Sequence, residues 1–89
     1  MCARQAGALV GFVNVAWDGA AHAFILDTVV ATSVRRQGVG RGLVAHAVDH
    51  ARSAGCKWLH VDFEDHLRPF YLDACGFQPT HAGLIPLTP

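Results

Sequence analysis

The sequence lacks the features that mark several common classes of protein. No run of apolar residues approaches the ~20 that a membrane-spanning helix needs, and the N-terminus has no charged segment followed by an apolar one, as a signal peptide has. Seven basic and seven acidic residues give a formal charge of zero. Because nucleic acids and anionic membranes bind basic surfaces, we expect neither of them as a partner.

Cysteine is scarce as well. The three cysteines form no CxxC motif, and their number is odd. This pattern argues against a disulfide framework and predicts a reducing, cytoplasmic location. Cys75 falls on an apolar helix face, so we interpret it as a small buried hydrophobe rather than a nucleophile.

The chain does have enough apolar residues for one small core. Of its 89 residues, 52% are hydrophobic, and the mean hydropathy is +0.27. These values are typical of a folded protein rather than a disordered one. Since a chain of this length forms one small core, we expect residues 1–89 to be a single domain.

The spacing of apolar residues predicts a mixed α/β fold, in the order strand, strand, helix, strand, helix, short strand. Cys2 to Arg4 are interpreted as the remnant of a further strand at the start. The predicted elements are strands over Leu9 to Trp17 and His22 to Ala31, a helix from near Val39 to Gly55, a strand over Lys57 to Phe63, a helix over Leu67 to Cys75, and short strands around Thr80 and Leu84 to Leu87.

The most informative segment is Arg35-Arg36-Gln37-Gly38-Val39-Gly40-Arg41-Gly42, between the second strand and the first helix. Its three glycines let the backbone turn tightly and approach a ligand closely. The helix N-terminus offers unpaired N–H groups to an anion, and the arginines add fixed positive charge. This segment therefore predicts a cofactor that carries phosphate.

Two common phosphate loops fit the segment poorly. A Walker loop needs Lys and then Ser or Thr, but Gly40 is followed by Arg41 and another glycine. A dinucleotide loop is closer, because Gly38 follows a strand and Asp62 ends the next one, as a ribose-binding acid would. However, its third glycine falls where this chain has Leu43, and seven residues separate the strand from the first glycine.

Two motifs instead resemble the GNAT superfamily of N-acetyltransferases. Arg35-x-x-Gly38-x-Gly40 is similar to that family's Gln/Arg-x-x-Gly-x-Gly/Ala pyrophosphate loop. Downstream, the segment from Pro69 to Phe77 looks like the family's helix that ends Phe-Tyr-x-x-x-Gly-Phe. The two motifs stand in the family's order, with a helix and a strand of suitable length between them.

The resemblance covers about residues 7 to 80 and implies a GNAT-like core. That core would lack the family's usual first strand and first two helices, which would leave Leu9 to Trp17 at or near an exposed sheet edge. Because proteins seldom leave such an edge uncovered, we expect a homodimer that covers it; the alternatives are a naturally minimal enzyme and a fragment of a longer protein.

The resemblance also implies acetyl-coenzyme A as co-substrate, with no metal. The backbone of Gln37 to Gly42 would hold the pyrophosphate, and the end of the second strand would pair with the pantetheine arm and supply an N–H to the thioester carbonyl. Arg36 and Arg41 could pair with the charges of the pyrophosphate; the alternative is that their side chains lie on a solvated face of the protein. The implied cofactor-binding residues are Val29, Val30, Arg35, Arg36, Gln37, Gly38, Val39, Gly40, Arg41 and Gly42.

Tyr71 matches the family's usual general acid, which protonates the departing thiolate. A phenol of pKa ~10 can donate to a thiolate of pKa ~8.5 as that thiolate forms. The alternative is that Tyr71 only packs on its helix. The general base stays open, since each candidate is as readily a structural polar group; the candidates are Asp27, His60, Asp62 and Glu64.

His46 and His50 stand four residues apart on one helix, as two zinc ligands do. They lie on the polar side of that helix without a third ligand at a telling distance, so we interpret them as a solvated face. The segment Phe63-Glu64-Asp65-His66 replaces the Asn that many family members carry there, and its acidic residues would attract a cationic amine.

The function that follows is transfer of an acetyl group to a primary amine by direct attack in a ternary complex. The acceptor would be a small molecule or a peptide amine. The alternative is a non-catalytic module that binds coenzyme A or oligomerises, as a fragment of a longer acetyltransferase.

Overall fold

The computed structural model describes residues 2–5, 8–31 and 38–88. Four strands and one long helix make up most of this part of the chain. A 3₁₀ turn and a single-turn π-helix follow the last strand, and residues 78–88 form a tail without a helix or strand. The elements are β1 (Cys2–Gln5), β2 (Ala8–Trp17), β3 (His22–Val30), α1 (Val39–Ser53), β4 (Trp58–Val61), the 3₁₀ turn (Asp65–Leu67) and the π-helix (Pro69–Ala74).

The strands form one sheet in the order β1-β2-β3-β4. The first three strands are antiparallel, whereas β3 and β4 are parallel. Parallel neighbours need a crossover connection, and α1 supplies it. This helix packs against β2 and β3, so it covers one face of the sheet.

The turn between β2 and β3 is held by one carboxylate. Asp18 Oδ1 accepts the backbone N–H of Ala20 at 2.8 Å and that of His22 at 3.2 Å. The bond from Ala20 is the largest cause that holds the pKa of Asp18 below its usual value. Gly19 lies between Asp18 and Ala20 with a φ of 80°, a backbone conformation in which a residue with a side chain would be strained.

Glycines and apolar spacing define α1. Gly38, with φ of 80°, caps its start, and Gly55, with φ of 88°, follows its end. The residues at helical spacing on one side of α1 are all buried, as expected for an amphipathic helix: Leu43, Val44, Ala47 and Ala51. No helix among the described residues is long and apolar enough to span a membrane.

The core lies between α1, the sheet and the π-helix. Its fully buried members are contributed by all three layers: Val13, Ile25, Leu43, Val44, Ala47 and Tyr71. Tyr71, on the π-helix, is the only aromatic residue in that buried cluster of the described chain. The residue predicted to do chemistry is therefore also a core residue.

The mixed α/β architecture predicted from the sequence is confirmed, with two differences in length. The strand expected over Lys57 to Phe63 shortens to β4, because pairing with β3 ends at Val61. The helix expected over Leu67 to Cys75 is reduced to a 3₁₀ turn and the π-helix, which begins at Pro69.

Two expectations about the edges of the sheet are corrected. The prediction of strands around Thr80 and Leu84 to Leu87 was wrong, since the tail forms no strand within the chain, and its prolines and Gly83 disfavour a strand. The exposed edge expected along Leu9 to Trp17 is covered over its first half, where β1 pairs with Ala8–Phe12. Among the described residues, the second half of β2 stays at the edge.

Gly11 is where the sheet and α1 approach most closely. A Cβ at this position would lie 2.8 Å from the Val29 backbone oxygen and 3.1 Å from Leu43 Cδ1. The backbone oxygen cannot move aside without disturbing the strand pair. The absence of a side chain at Gly11 therefore sets how near α1 lies to β2.

Gly11→Ala should destabilise the fold by about 1–3 kcal/mol, because the new methyl group overlaps the strand and the helix. Gly42→Ala is the matched control: no atom lies within 4 Å of its Cβ position, and alanine in a helix gains about 0.5–1 kcal/mol over glycine. Chemical denaturation followed by circular dichroism measures both. Equal stabilities of the two variants would contradict the close approach.

Candidate active site

The central feature of the site is the point where β3 and β4 part. Their parallel pairing runs from His22↔Trp58 to Ile25↔Val61, and β3 continues to Val30 without a β4 partner among the described residues. The opening lies at the carboxyl ends of two parallel strands, which is where ligands bind in open α/β sheets.

A bulge in β3 coincides with this parting. Asn14 pairs with Asp27, but the next residue of β2, Val15, pairs with Ile25, so Leu26 is the extra residue. A bulge bends its strand and increases the local twist. The bend turns the last residues of β3 away from the line of β4.

The end of β3 directs some of its backbone groups into the opening. The Ala31 N–H donates to the Val10 oxygen at 2.7 Å, which fixes the alternation along the β2–β3 ladder. Because bonding groups alternate along an antiparallel strand, the backbone of Val29 faces β2, whereas those of Thr28 and Val30 face the opening. The backbone of Val30 thus has the orientation that pairing with a pantetheine arm would need. The backbone of Val29 instead faces β2, within the β2–β3 ladder.

The start of α1 lies beside the same opening. A Cβ on Gly40 would lie 3.3 Å from Phe70 Cζ and 3.4 Å from Val30 Cγ2, so this glycine contacts both the end of β3 and the π-helix. Among the described residues, no side chain caps the N-terminus of α1. The first N–H groups of a helix have no partner within it, and such groups suit an anion.

The cofactor residues expected from the sequence are only partly within the described chain. Arg35, Arg36 and Gln37 lie outside the described residues. Val39 packs against the core, and Arg41 and Gly42 are exposed on the first turn of α1. The structure therefore brings together Val30, Gly38, Val39, Gly40, Arg41 and Gly42 at one end of the sheet.

Tyr71 is surrounded by three aromatic rings. Its ring stacks on Phe63 with centroids 5.1 Å apart, and it meets Phe70 and Phe77 edge-on at 4.8 and 5.8 Å. Only 6% of its surface is exposed. These contacts hold the ring in one orientation, as a residue that positions a proton would need.

The hydroxyl of Tyr71 has no hydrogen-bond partner among the described residues. In that part of the chain, the one sealed side-chain polar atom without a partner is Thr28 Oγ1. The Tyr71 hydroxyl is not such an atom. Burial of the ring therefore leaves no sealed hydroxyl without a partner.

Two opposing influences act on the thiol of Cys75, which lies just after the π-helix. Burial raises the pKa of this thiol, and the positive charge of Arg41 acts in the opposite direction. Arg41, on the first turn of α1, is therefore electrostatically coupled to the end of the π-helix.

Two of the four candidates for a general base, His60 and Asp62, line one groove, whereas Asp27 and Glu64 do not line it. Asp27 Oδ2 accepts a bond from Asn14 at 3.3 Å on an exposed face, and Glu64 lies 3.4 Å from His66. His60 Nε2 lies 2.8 Å from His22 Nδ1. Asp62 is exposed beyond the end of β4. Three of the four thus have structural partners, and none is marked as a base by its geometry.

The interpretation of His46 and His50 as a solvated face agrees with their exposure on α1. Within residues 2–5, 8–31 and 38–88, no group of three or more His, Cys, Asp or Glu side chains is arranged to hold a metal ion. The sequence analysis did not single out Thr28. No local sequence pattern indicates the orientation of its side chain, because that orientation depends on the bulge in β3.

Comparison with known proteins places this geometry in a family. The model of the acetyltransferase (GNAT) family matches residues 1–77. The chain therefore belongs to the GNAT acetyltransferase family, as its two motifs predicted, and that family carries out acyl transfer. A search of curated proteins found no match.

Solved structures with the same fold cover nearly all of this chain. An acetyltransferase from Trypanosoma brucei is 29% identical over 98% of the chain, with a TM-score of 0.76. A GNAT-family acetyltransferase from Streptococcus pneumoniae, 23% identical over 98%, has a TM-score of 0.81. AAC(6′)-Iy in complex with the bisubstrate analogue CoA-S-monomethyl-acetylneamine is 21% identical over 99%, with a TM-score of 0.80. The last two show the fold alone.

The chain is shorter than these structures. It spans 64% of the trypanosomal protein, 68% of the pneumococcal one and 67% of AAC(6′)-Iy. The shared part contains the opening between β3 and β4, the start of α1 and the π-helix.

Arg41→Gln should slow alkylation of Cys75 by iodoacetamide at mildly alkaline pH. Loss of the positive charge removes the influence that favours the thiolate, so the pKa of Cys75 rises further and its reactive fraction falls. Peptide mass spectrometry follows Cys75, with Cys56 in the same chain as the control. An unchanged rate at Cys75, or equal slowing at both cysteines, would show that Arg41 does not lie beside the π-helix.

Proposed function

We infer that the chain is an N-acetyltransferase domain that moves an acetyl group from acetyl-coenzyme A to a primary amine. The observation that supports this most is the meeting of Gly40, Val30 and Phe70 within 3.3–3.4 Å of one Cβ position. Three elements of the proposed site meet at this position. They are the start of α1, whose backbone would bind phosphate, the end of β3, whose backbone faces the opening, and the π-helix that carries Tyr71.

The residues at this point fit coenzyme A. The N–H groups from Gly38 to Arg41, at the start of α1, suit its pyrophosphate, and glycine at position 40 lets the helix start lie against Val30 and Phe70. Arg41 would pair with phosphate charge, as would Arg35 and Arg36 just before the loop, which begins at Gln37. The pantetheine arm would lie in the opening along the end of β3, where Val29 and Val30 form its border.

The reaction is a direct attack in a ternary complex. The nitrogen lone pair of the amine forms a bond to the acetyl carbon, and the carbonyl oxygen gains negative charge that a backbone N–H of β3 stabilises. The carbon–sulfur bond then breaks, and the Tyr71 hydroxyl donates its proton to the departing thiolate. The proton lost by the amine passes to solvent, since none of the four base candidates is marked by its geometry.

The acceptor in this proposal is a small molecule or a peptide that carries a primary amine, and the protein works as a cytoplasmic homodimer. Exposed acidic residues beyond β4 favour a cationic amine: Asp62, Glu64 and Asp65. The second candidate is a module that binds coenzyme A without catalysis.

Release of free thiol from acetyl-coenzyme A with a panel of amines tests the proposed function. We expect amine-dependent release from the 89-residue chain. A thermal shift on adding acetyl-coenzyme A, measured in parallel, tests binding of the cofactor, which both candidates share, and thiol release separates the two. Stabilisation without thiol release for any amine would support the binding module, and absence of both would refute both candidates.

Tyr71→Phe should lower the rate of thiol release about 10²-fold or more, which is what loss of a general acid costs. The phenylalanine ring keeps the contacts with Phe63, Phe70 and Phe77, and the removed hydroxyl has no partner among the described residues. Stability and the thermal shift with acetyl-coenzyme A should therefore stay near those of the wild type. Unchanged turnover would remove Tyr71 from the mechanism.

A further inference from the structure

A groove runs along β4, between this strand and the tail. Its volume is about 750 Å³, which is typical of a site for a small molecule. The groove begins where β3 and β4 part, because its lining includes Leu26, the extra residue of the bulge, and Val61, the last paired residue of β4. Phe63, which stacks on Tyr71, lines it as well. One end of the groove therefore borders the opening in which the proposed reaction takes place.

One wall of the groove is flat and held in place. It is formed by the rings of Phe24 and His60, which stack with centroids 4.6 Å apart and with planes 16° from parallel. His60 Nε2 lies 2.8 Å from His22 Nδ1, and this hydrogen bond fixes the orientation of the imidazole. Phe24 is 41% exposed, and Leu26, which also lines the groove, is 64% exposed. An exposed apolar surface of this kind favours contact with an apolar or aromatic group of a ligand.

Two opposite charges line the same groove without pairing with each other. Asp62 directly follows β4, and Arg68 lies between the 3₁₀ turn and the π-helix. Neither side chain has a hydrogen bond or an ion pair within the described chain, whereas the neighbouring carboxylate of Glu64 lies 3.4 Å from His66 Nδ1. Sites for small molecules combine apolar walls with a few polar groups that fix the orientation of the ligand. Asp62 and Arg68 supply one such group of each sign.

The positions of the two charges indicate which group of a ligand each one binds. Asp62 is the first residue beyond the last strand pair, Ile25↔Val61, so it lies at the parting of β3 and β4, where an amine would meet the acetyl group. Arg68 lies further along the chain, and the parallel N–H donors of a guanidinium match the two oxygens of a carboxylate. A ligand that satisfies both residues carries an ammonium group and a carboxylate.

We propose that the acceptor is an amino acid with an apolar side chain. Asp62 binds its ammonium group, Arg68 binds its carboxylate, and the stacked rings of Phe24 and His60 contact its side chain. This inference rests on the proposed function, and it narrows the acceptor from any primary amine to one that also carries a carboxylate.

The protons of the ammonium group balance as follows from the proposed reaction. One of the three passes to solvent before the nitrogen attacks the acetyl carbon, a second passes to solvent afterwards, and the third stays on the amide. Tyr71 regains from solvent the proton that it gives to the thiolate. The products are the N-acetyl amino acid and free coenzyme A.

Two matched pairs of amines test the proposal by thiol release: L-phenylalanine with phenethylamine, and L-leucine with isopentylamine. The members of each pair differ only by the carboxylate. We expect kcat/KM to be higher for the amino acid in at least one pair, and Arg68→Gln should lower the ratio within that pair at least about tenfold. Arg52→Gln is the matched control, because it removes an exposed arginine that does not line the groove, and it should keep the ratio.

Calorimetric titration of the same four amines in the presence of coenzyme A measures binding without the reaction. We expect the amino acid of that pair to bind at least about tenfold more tightly than its partner, and Arg68→Gln to remove the difference. Asp62→Asn should weaken the binding of both members. Both side chains are exposed and have no partner within the described chain, so the variants should fold, which circular dichroism checks.

The two measurements separate failure of this proposal from failure of the proposed function. Equal affinities within both pairs, a preference that Arg68→Gln leaves unchanged, or no binding of any of the four amines would overturn the proposal. Thiol release with other amines would then leave acetyl transfer standing. Selective binding that depends on Arg68, without thiol release, would support the groove as an amino acid site and count against acetyl transfer.

Discussion

The separation of β3 from β4 is the constraint on which the rest of the site depends. While the strands pair, as far as Ile25↔Val61, their backbone groups bond to each other. Beyond that pair, the bulge at Leu26 turns β3 aside, and the backbone of Val30 faces an opening. Backbone donors in such a position need no side-chain reorganisation to meet developing charge. The catalytic geometry proposed here is thus a property of the sheet before any side chain contributes.

Two glycines bring the other parts to that opening. Gly11 lets α1 lie close to the sheet, because a side chain there would overlap the Val29 oxygen. Gly40 lets the first turn of α1 contact Val30 and Phe70. The uncapped helix start, the strand end and the helix of Tyr71 therefore meet without a residue between them. The core and the site share these contacts, so stability and function are set by the same close packing.

Much of this could be predicted from the sequence because the signals are local. The glycine motif at Gly38 and Gly40 and the motif around Tyr71 identified the family, and apolar spacing predicted the strands and α1. Other features could not be predicted, because they depend on where two strands stop pairing. These features are the shortening of β4, the orientation of Thr28 and the exposed tail. That point is set by the bulge and by tertiary contacts, which no local pattern of residues records.

Calorimetric titration of coenzyme A and of pantetheine tests the central claim most directly, because the two ligands share the arm that lies in the opening and differ by the part that carries the pyrophosphate. If the N–H groups of Gly38 to Arg41 at the start of α1 hold the pyrophosphate, coenzyme A should bind at least about a hundredfold more tightly than pantetheine. Equal affinities for the two ligands, or no binding of coenzyme A, would contradict the account.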